Sequence, residues 1–197
     1  MGDHQANIAI FASGSGSNAQ RIIEYFEQRQ DIKVKVLLAN RPDAYALERA
    51  KRLGIPTFVF SREDFFSSDR VLEYLKENSV DWIVLAGFLW LIPQNLLKNY
   101  PDRIINIHPA LLPAYGGKGM YGSKVHQAVI TAKEKESGIS IHYINEQYDE
   151  GEMIYQAKCL VEPGDTPESL AEKIHRLEHE HFPVIIDKVI TESKVKR

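Results

Sequence analysis

Short apolar runs alternating with stretches of helical spacing decide what the first half of this chain can become. The runs are Asn7–Ala12, Lys33–Ala39, Thr57–Phe60, Asp81–Ala86 and Arg103–Ile107. After the first, Ile22, Ile23 and Phe26 recur on one helical face. Ala44–Leu53 reads as a helix stopped by Gly54 and Pro56, Asp69–Asn78 as another, and a short helix follows Pro93. Strands separated by helices of about ten residues pair in parallel through right-handed crossovers, and helices then cover both faces of the sheet.

The rhythm changes after residue 108. From His108 to Lys124 the chain carries prolines and paired glycines with little periodicity, a long loop of the kind that is usually functional or disordered. Val125–Glu136 looks helical. Ile139–Ile144 and Met153–Val161 alternate as half-buried strands around a polar turn, Tyr148-Asp149-Glu150-Gly151. Thr166 as cap and Pro167 at the first helical position open a last helix, with Leu170, Ile174 and Leu177 at helical spacing. Pro183 is expected to kink or break it. His4 and Lys194–Arg197 read as frayed, solvated ends. The expectation is one α/β domain over residues 1–197, a Rossmann-like, mostly parallel twisted sheet with flanking helices and an antiparallel C-terminal extension.

Composition narrows the function. A chain of 197 residues buries about 70% of its unfolded surface without a covalent staple. Against 24 basic residues stand 27 acidic ones, net −3, which argues against the broad basic face that nucleic acid requires. The longest apolar stretch, Trp82–Ile92, is broken by Gly87 and is far short of the ~20 residues that span a bilayer. No cationic leader precedes Ala12, and Ala6 stands where a myristoylation signal needs Ser or Thr. A single cysteine, Cys159, closes no internal disulfide, so the expected compartment is the reducing cytoplasm. A homodimer is compatible with the sequence but not required by it.

Between the first strand and first helix lies Ser13-Gly14-Ser15-Gly16-Ser17-Asn18-Ala19. Gly14, Gly16 and Ala19 satisfy the spacing of a dinucleotide turn, where glycines let backbone N–H groups and a helix end face a phosphate. That fingerprint also needs an acid after the second strand to hold a ribose hydroxyl; here the position is Asn40. A phosphomonoester held by Gly16, Ser17 and Asn18 fits better than a nicotinamide dinucleotide. At the end of the fifth strand, period-two alternation puts Asn106 and His108 on one side with Ile107 opposite. An amide and an imidazole there could stabilise an oxyanion and move a proton, although spacing alone leaves a core-satisfied pair equally open.

The wider string Asn106-Ile107-His108-Pro109-Ala110-Leu111-Leu112-Pro113 resembles the signature of the folate-dependent formyltransferases. Val84-Leu85-Ala86-Gly87-Phe88, the N-terminal glycine turn and Tyr148-Asp149-Glu150-Gly151 extend the resemblance in collinear order. It implies formyl transfer from 10-formyltetrahydrofolate, as co-substrate and without a metal, to the amine of a phosphoribosylglycinamide in purine synthesis. The implied catalytic trio is Asn106, His108 and Asp149. Protonated His108 and Asn106 would stabilise the oxyanion, and Asp149 would hold His108 and favour its charged form.

By the same resemblance, Leu89, Trp90, Leu91 and Ile92 with Asn145, Glu146, Gln147, Tyr148 and Asp149 line a folate pocket, Asn106 borders it, and Arg62 matches a folate-associated position. Trp90 reads equally as core. Glu178 matches a ribose-binding helix position, with His175 where relatives commonly carry Gln. Roughly, residues 1–100 form the phosphate-binding half and 101–197 the catalytic and folate-binding half. Branches of the family that act on charged tRNA or hydrolyse the folate carry a further domain, and none is expected here. The segment Ala114–Lys124 is longer than in many relatives; Lys118 could act as a lid or phosphate contact, but a variant loop without chemistry is the expectation. His126 fits a structural histidine, and His142 is expected close to the site without a role. His175 and His179 share a helix face while His181 points elsewhere, so solvated or hydroxyl-binding roles are expected rather than metal ligation.

Overall fold

A computed structural model describes residues 5–195, the side chain of Val195 excepted; the expectations for His4, Lys196 and Arg197 lie outside them. Elements follow in the order β1 (Ala6–Ala12), α1 (Ser17–Phe26), β2 (Ile32–Ala39), α2 (Tyr45–Arg52), β3 (Thr57–Val59), α3 (Arg62–Phe66) and α4 (Arg70–Glu77). Then come β4 (Trp82–Leu85), α5 (Gln94–Asn99), β5 (Ile104–His108), α6 (Ser123–Thr131), β6 (Glu136–Tyr143), β7 (Met153–Leu160) and α7 (Pro167–Val195). The seven strands form one sheet ordered β3-β2-β1-β4-β5-β6-β7. β1 to β5 pair in parallel, β6 lies antiparallel to β5, and β7 antiparallel to β6. The expected architecture is present.

Alternation along the strands divides the core in two. Ile8 and Ile10 of β1 face a layer with Ile22 and Ile23 of α1 and Phe182 and Ile186 of α7. Ala9 and Phe11 face the opposite layer, with Phe65 of α3, Leu75 of α4 and Leu96 of α5. On β5, Ile105 and Ile107 pack into the first layer, which leaves Asn106 and His108 on the other side. The chain runs outward from β1 through β2 and β3, then returns to lay β4 on β1's other flank. Loops leaving β1 and β4 therefore diverge and open a crevice at the strands' carboxyl ends.

Three local expectations are corrected. The helix expected to Glu136 ends at Thr131, and Glu136–Gly138 open β6 instead, paired with Leu160, Cys159 and Lys158. Lys133, at φ +55°, turns the chain out of the helix, and ladder pairing with β7 overrides the local helix formers. Pro183 does not break α7, which runs through it for 29 residues. The apolar side chains around it, Phe182, Ile185 and Ile186, are buried, and their packing offsets the missing N–H. Lys194 is not a frayed end: its Nζ donates to the Asp31 carbonyl at 2.8 Å and lies 3.4 Å from its carboxylate. Among the described residues no helix is long and apolar enough to cross a membrane.

Candidate active site

The crevice is a cleft of about 660 Å³ at the carboxyl ends of β1, β4 and β5. One end is the glycine turn, the other the segment after β4, and the floor carries Asn106 and His108. Residues 117–122, Gln147–Asp149, and His175 and Glu178 of α7 complete the walls.

Two imidazoles, an amide and a carboxylate meet on the floor. His108 Nδ1 lies 3.6 Å from Asp149 Oδ2, and His142 Nε2 lies 3.6 Å from Asp149 Oδ1. His108 Nε2 is 2.7 Å from the Tyr115 carbonyl, which only accepts, so the proton sits on Nε2 and Nδ1 of the neutral ring is bare. By the same reasoning His142 Nδ1 donates to the Tyr143 carbonyl at 2.8 Å, and its Nε2 accepts from Asn106 Nδ2 at 3.1 Å. Asn106 is thereby oriented with one amide hydrogen left over. Asp149 stands at φ +57°, a left-handed conformation that Asp tolerates better than most residues. Its Oδ2 also accepts the Gly117 N–H at 2.9 Å.

Electrostatics follow from this packing. Burial pushes the Asp149 carboxyl up, but the His142 and His108 rings and the Gly117 N–H outweigh it, leaving Asp149 below its ordinary value. Burial lowers the pKa of His108, and the opposing pull of Asp149 and the Tyr115 carbonyl does not restore it. Burial thus favours the neutral imidazole in the resting protein. The 114–124 segment is also more than a variant loop. Its backbone holds two of the three catalytic candidates, His108 through the Tyr115 carbonyl and Asp149 through the Gly117 N–H, and Lys118 lines the cleft.

At the glycine turn, Gly16 adopts φ +73°, and a Cβ there would meet the Ala46 Cα at 2.5 Å. Gly16, Ser17 and Asn18 all line the cleft. Asn18 spends its side-chain amide on Glu178, donating to Oε2 at 2.9 Å. Burial raises the Glu178 pKa, against the Asn18 hydrogen bond and His175. His126 lines the cleft, and burial, then His175 and His108, depress it to about 4; its Nδ1 finds no partner among the described residues. Among those residues no group of three or more His, Cys, Asp or Glu is placed to hold a metal ion.

Along the apolar wall, Leu89, Trp90, Leu91 and Ile92 line the cleft together with Gln147, Tyr148 and Asp149. Trp90 is both wall and core, since its ring also meets those of Phe60, Phe65 and Phe88. Asn145 and Glu146 are not on the wall: Asn145 Oδ1 accepts the Gln147 N–H at 2.9 Å, a local turn contact that occupies the side chain. Arg62 is not on the wall either. Its guanidinium stacks 4.8 Å over the exposed Phe66 ring and 5.8 Å over Trp90. Sequence reasoning missed Arg41, which follows β2 onto the cleft wall, and gave His142 no role although it fixes Asn106. The alternation His142–Tyr143–Ile144 opposite Asn106 carried a signal for His142 that only strand pairing makes readable.

Comparison with known proteins places the chain in a family. The formyl transferase family model matches residues 6–186. The chloroplastic phosphoribosylglycinamide formyltransferase of Arabidopsis thaliana is 40% identical over 195 residues, covering 96% of this chain; the chain spans 66% of that relative, just under two thirds of its length. The Bacillus subtilis phosphoribosylglycinamide formyltransferase is 35% identical, with 92% of this chain and 93% of that protein covered. The crystal structure of the Bacillus halodurans phosphoribosylglycinamide formyltransferase superposes with a TM-score of 0.85 at 36% identity, covering 95% of this chain and 96% of that one. A doubly wound sheet, a glycine turn after β1 and an Asn-x-His pair at the end of β5 thus occur here in a chain that belongs to the formyl transferase family.

Proposed function

We propose that this protein transfers the formyl group of 10-formyltetrahydrofolate to the amine of N1-(5-phospho-D-ribosyl)glycinamide, a step of purine synthesis. The observation that carries this reading is the meeting of Asn106, His108 and Asp149 within one cleft that the Gly14–Asn18 turn also lines. The relatives at 35% and 40% identity carry this activity in their names. In the proposed complex the phosphate lies on the Gly16–Asn18 backbone, the ribose against Glu178 and His175, and the flat folate ring against Leu89–Ile92 and Gln147–Asp149. The first hundred residues supply the phosphate turn and the rest the catalytic groups, although Leu89–Ile92 and α7 cross that division.

The chemistry proposed follows from the protonation states. The neutral amine attacks the formyl carbon, forming a new C–N bond while negative charge grows on the formyl oxygen. The remaining Asn106 amide hydrogen donates to that oxygen, a contact worth about 10²–10³ in rate. His108 takes the amine proton on its bare Nδ1, and Asp149 at 3.6 Å compensates the imidazolium charge. The tetrahedral centre then collapses, the bond to the folate nitrogen breaks, and His108 returns the proton to that nitrogen, directly or through water.

The test mixes purified protein with glycinamide ribonucleotide and 10-formyl-dideazafolate and follows folate absorbance. Turnover is expected, with His108→Ala slower by about 10²–10⁴. Absence of turnover with both this analogue and the natural donor rejects the assignment.

A further inference from the structure

The glycine turn is held from outside the cleft by α2. The Gly14 carbonyl accepts the Ala46 N–H at 3.0 Å, and the Ser15 carbonyl accepts from Arg49 Nε at 2.9 Å. In a trans peptide the C=O and the following N–H point in opposite directions. Tying these two carbonyls to α2 therefore turns the Ser15 and Gly16 N–H groups away from it. Among the described residues neither N–H has a hydrogen-bond partner, and both residues line the cleft. The contact is close enough that Gly16 has no room for a Cβ against Ala46.

Arg49 is itself braced. Its Nη1 donates to Gln20 Oε1 of α1, and Gln20 Nε2 donates to Glu24 Oε1 at 2.7 Å. The guanidinium also stands 4.9 Å over the Tyr45 ring. A planar fork satisfies the Ser15 carbonyl and Gln20 together, which a single ammonium cannot reproduce. Arg49 is absent from the cleft wall, so it reaches a ligand only through the Ser15–Gly16 peptide. Its charge on the carbonyl side polarises that peptide in the sense that strengthens the N–H facing an anion.

We propose that Arg49 is a positioning residue for the phosphate-binding turn, aligning the Ser15–Gly16 peptide on a phosphomonoester without touching it. This rests on the ribonucleotide reading of the site. The test compares Arg49→Met and Arg49→Lys with the wild type, measuring KM for both substrates, melting temperature, and calorimetric binding of ribose 5-phosphate. Expected for Arg49→Met is a 10- to 100-fold rise, about that of a lost charged hydrogen bond, in the ribonucleotide KM and the ribose 5-phosphate Kd. The folate KM and melting temperature stay near wild type, and Arg49→Lys recovers part of the affinity. Unchanged ribonucleotide and ribose 5-phosphate affinity overturns the proposal, as does a parallel rise in both KM values or a Lys variant no better than Met. The two readings separate: a wild type that binds ribose 5-phosphate without formyl transfer, with binding lost in Arg49→Met, refutes the function and supports the clamp.

Discussion

Asp149 occupies a backbone conformation most residues avoid, and it does so to place one carboxylate between two imidazoles, each 3.6 Å away. Its charge raises the His108 pKa while burial lowers it more, so the net shift is downward and favours the neutral ring. With His108 acting as base, kcat/KM rises with pH through the His108 pKa, below its ordinary value of about 6.5. Asp149→Asn keeps the left-handed backbone accessible and removes the charge that holds that pKa up. Its acidic limb is expected to move to lower pH, with kcat/KM reduced by about 10²–10⁴ across the range. A limb that stays in place or moves upward contradicts the pairing. Of these residues, Asn106 and His108 were readable from strand alternation, whereas Asp149 looked like an ordinary turn acid until the family string placed it. The part played by His142 was not readable, because its contact with Asn106 crosses from β5 to β6 and depends on register.

At the scale of elements, the β6–β7 pair carries the turn that holds Asp149, and its geometry depends on glycine. A Cβ on Gly151 would stand 1.7 Å from the Tyr143 carbonyl oxygen, the atom that accepts the His142 Nδ1 hydrogen. Gly151→Ala must therefore displace Tyr143 and, with it, the ring that orients Asn106. The expected cost is about 1–3 kcal/mol of overpacking strain, read as a lower denaturation midpoint, together with a reduced kcat. A variant within about 0.5 kcal/mol of wild type with full kcat would show that the turn relaxes without consequence. Element boundaries were the least legible feature. Ala132–Glu136 favours a helix by propensity, yet the ladder to Leu160 and Cys159 claims Glu136 and Ser137 for β6. The helix α3 escaped notice although Ser61 and Asp64 form a capping box, with Ser61 N donating to Asp64 Oδ2 at 2.8 Å. An Asp in place of the usual Glu or Gln conceals that signal.

Across the whole molecule, α7 joins the glycine-turn side of the cleft to the core, since Asn18 donates to its Glu178. Its Glu178 and His175 line the cleft, and four residues past Glu178 its Phe182 is fully buried among side chains of α1 and the sheet. Phe182→Ala leaves a cavity in that layer and is expected to cost about 3–5 kcal/mol, measured as a drop in denaturant midpoint at unchanged m-value. Because the same helix carries Glu178, the ribonucleotide KM rises more than the folate KM. A loss under about 1 kcal/mol would mean that α7 packs independently of the core layer. Pro183 lies inside this helix, and continuity there is a result of the burial of Phe182, Ile185 and Ile186 rather than of local preference.

From the amino-acid order alone came the α/β class, the parallel sheet, the glycine turn after β1 and the shared side of Asn106 and His108, since hydrophobic periodicity and glycine placement are local signals. Tertiary structure decided the rest: which carbonyls face outward at the turn, which nitrogen of each imidazole carries the proton, and that Arg62, Asn145 and Glu146 stand off the wall. Those outcomes depend on register, burial and contacts between segments far apart in the chain, and no short window of sequence encodes the partner that each side chain meets.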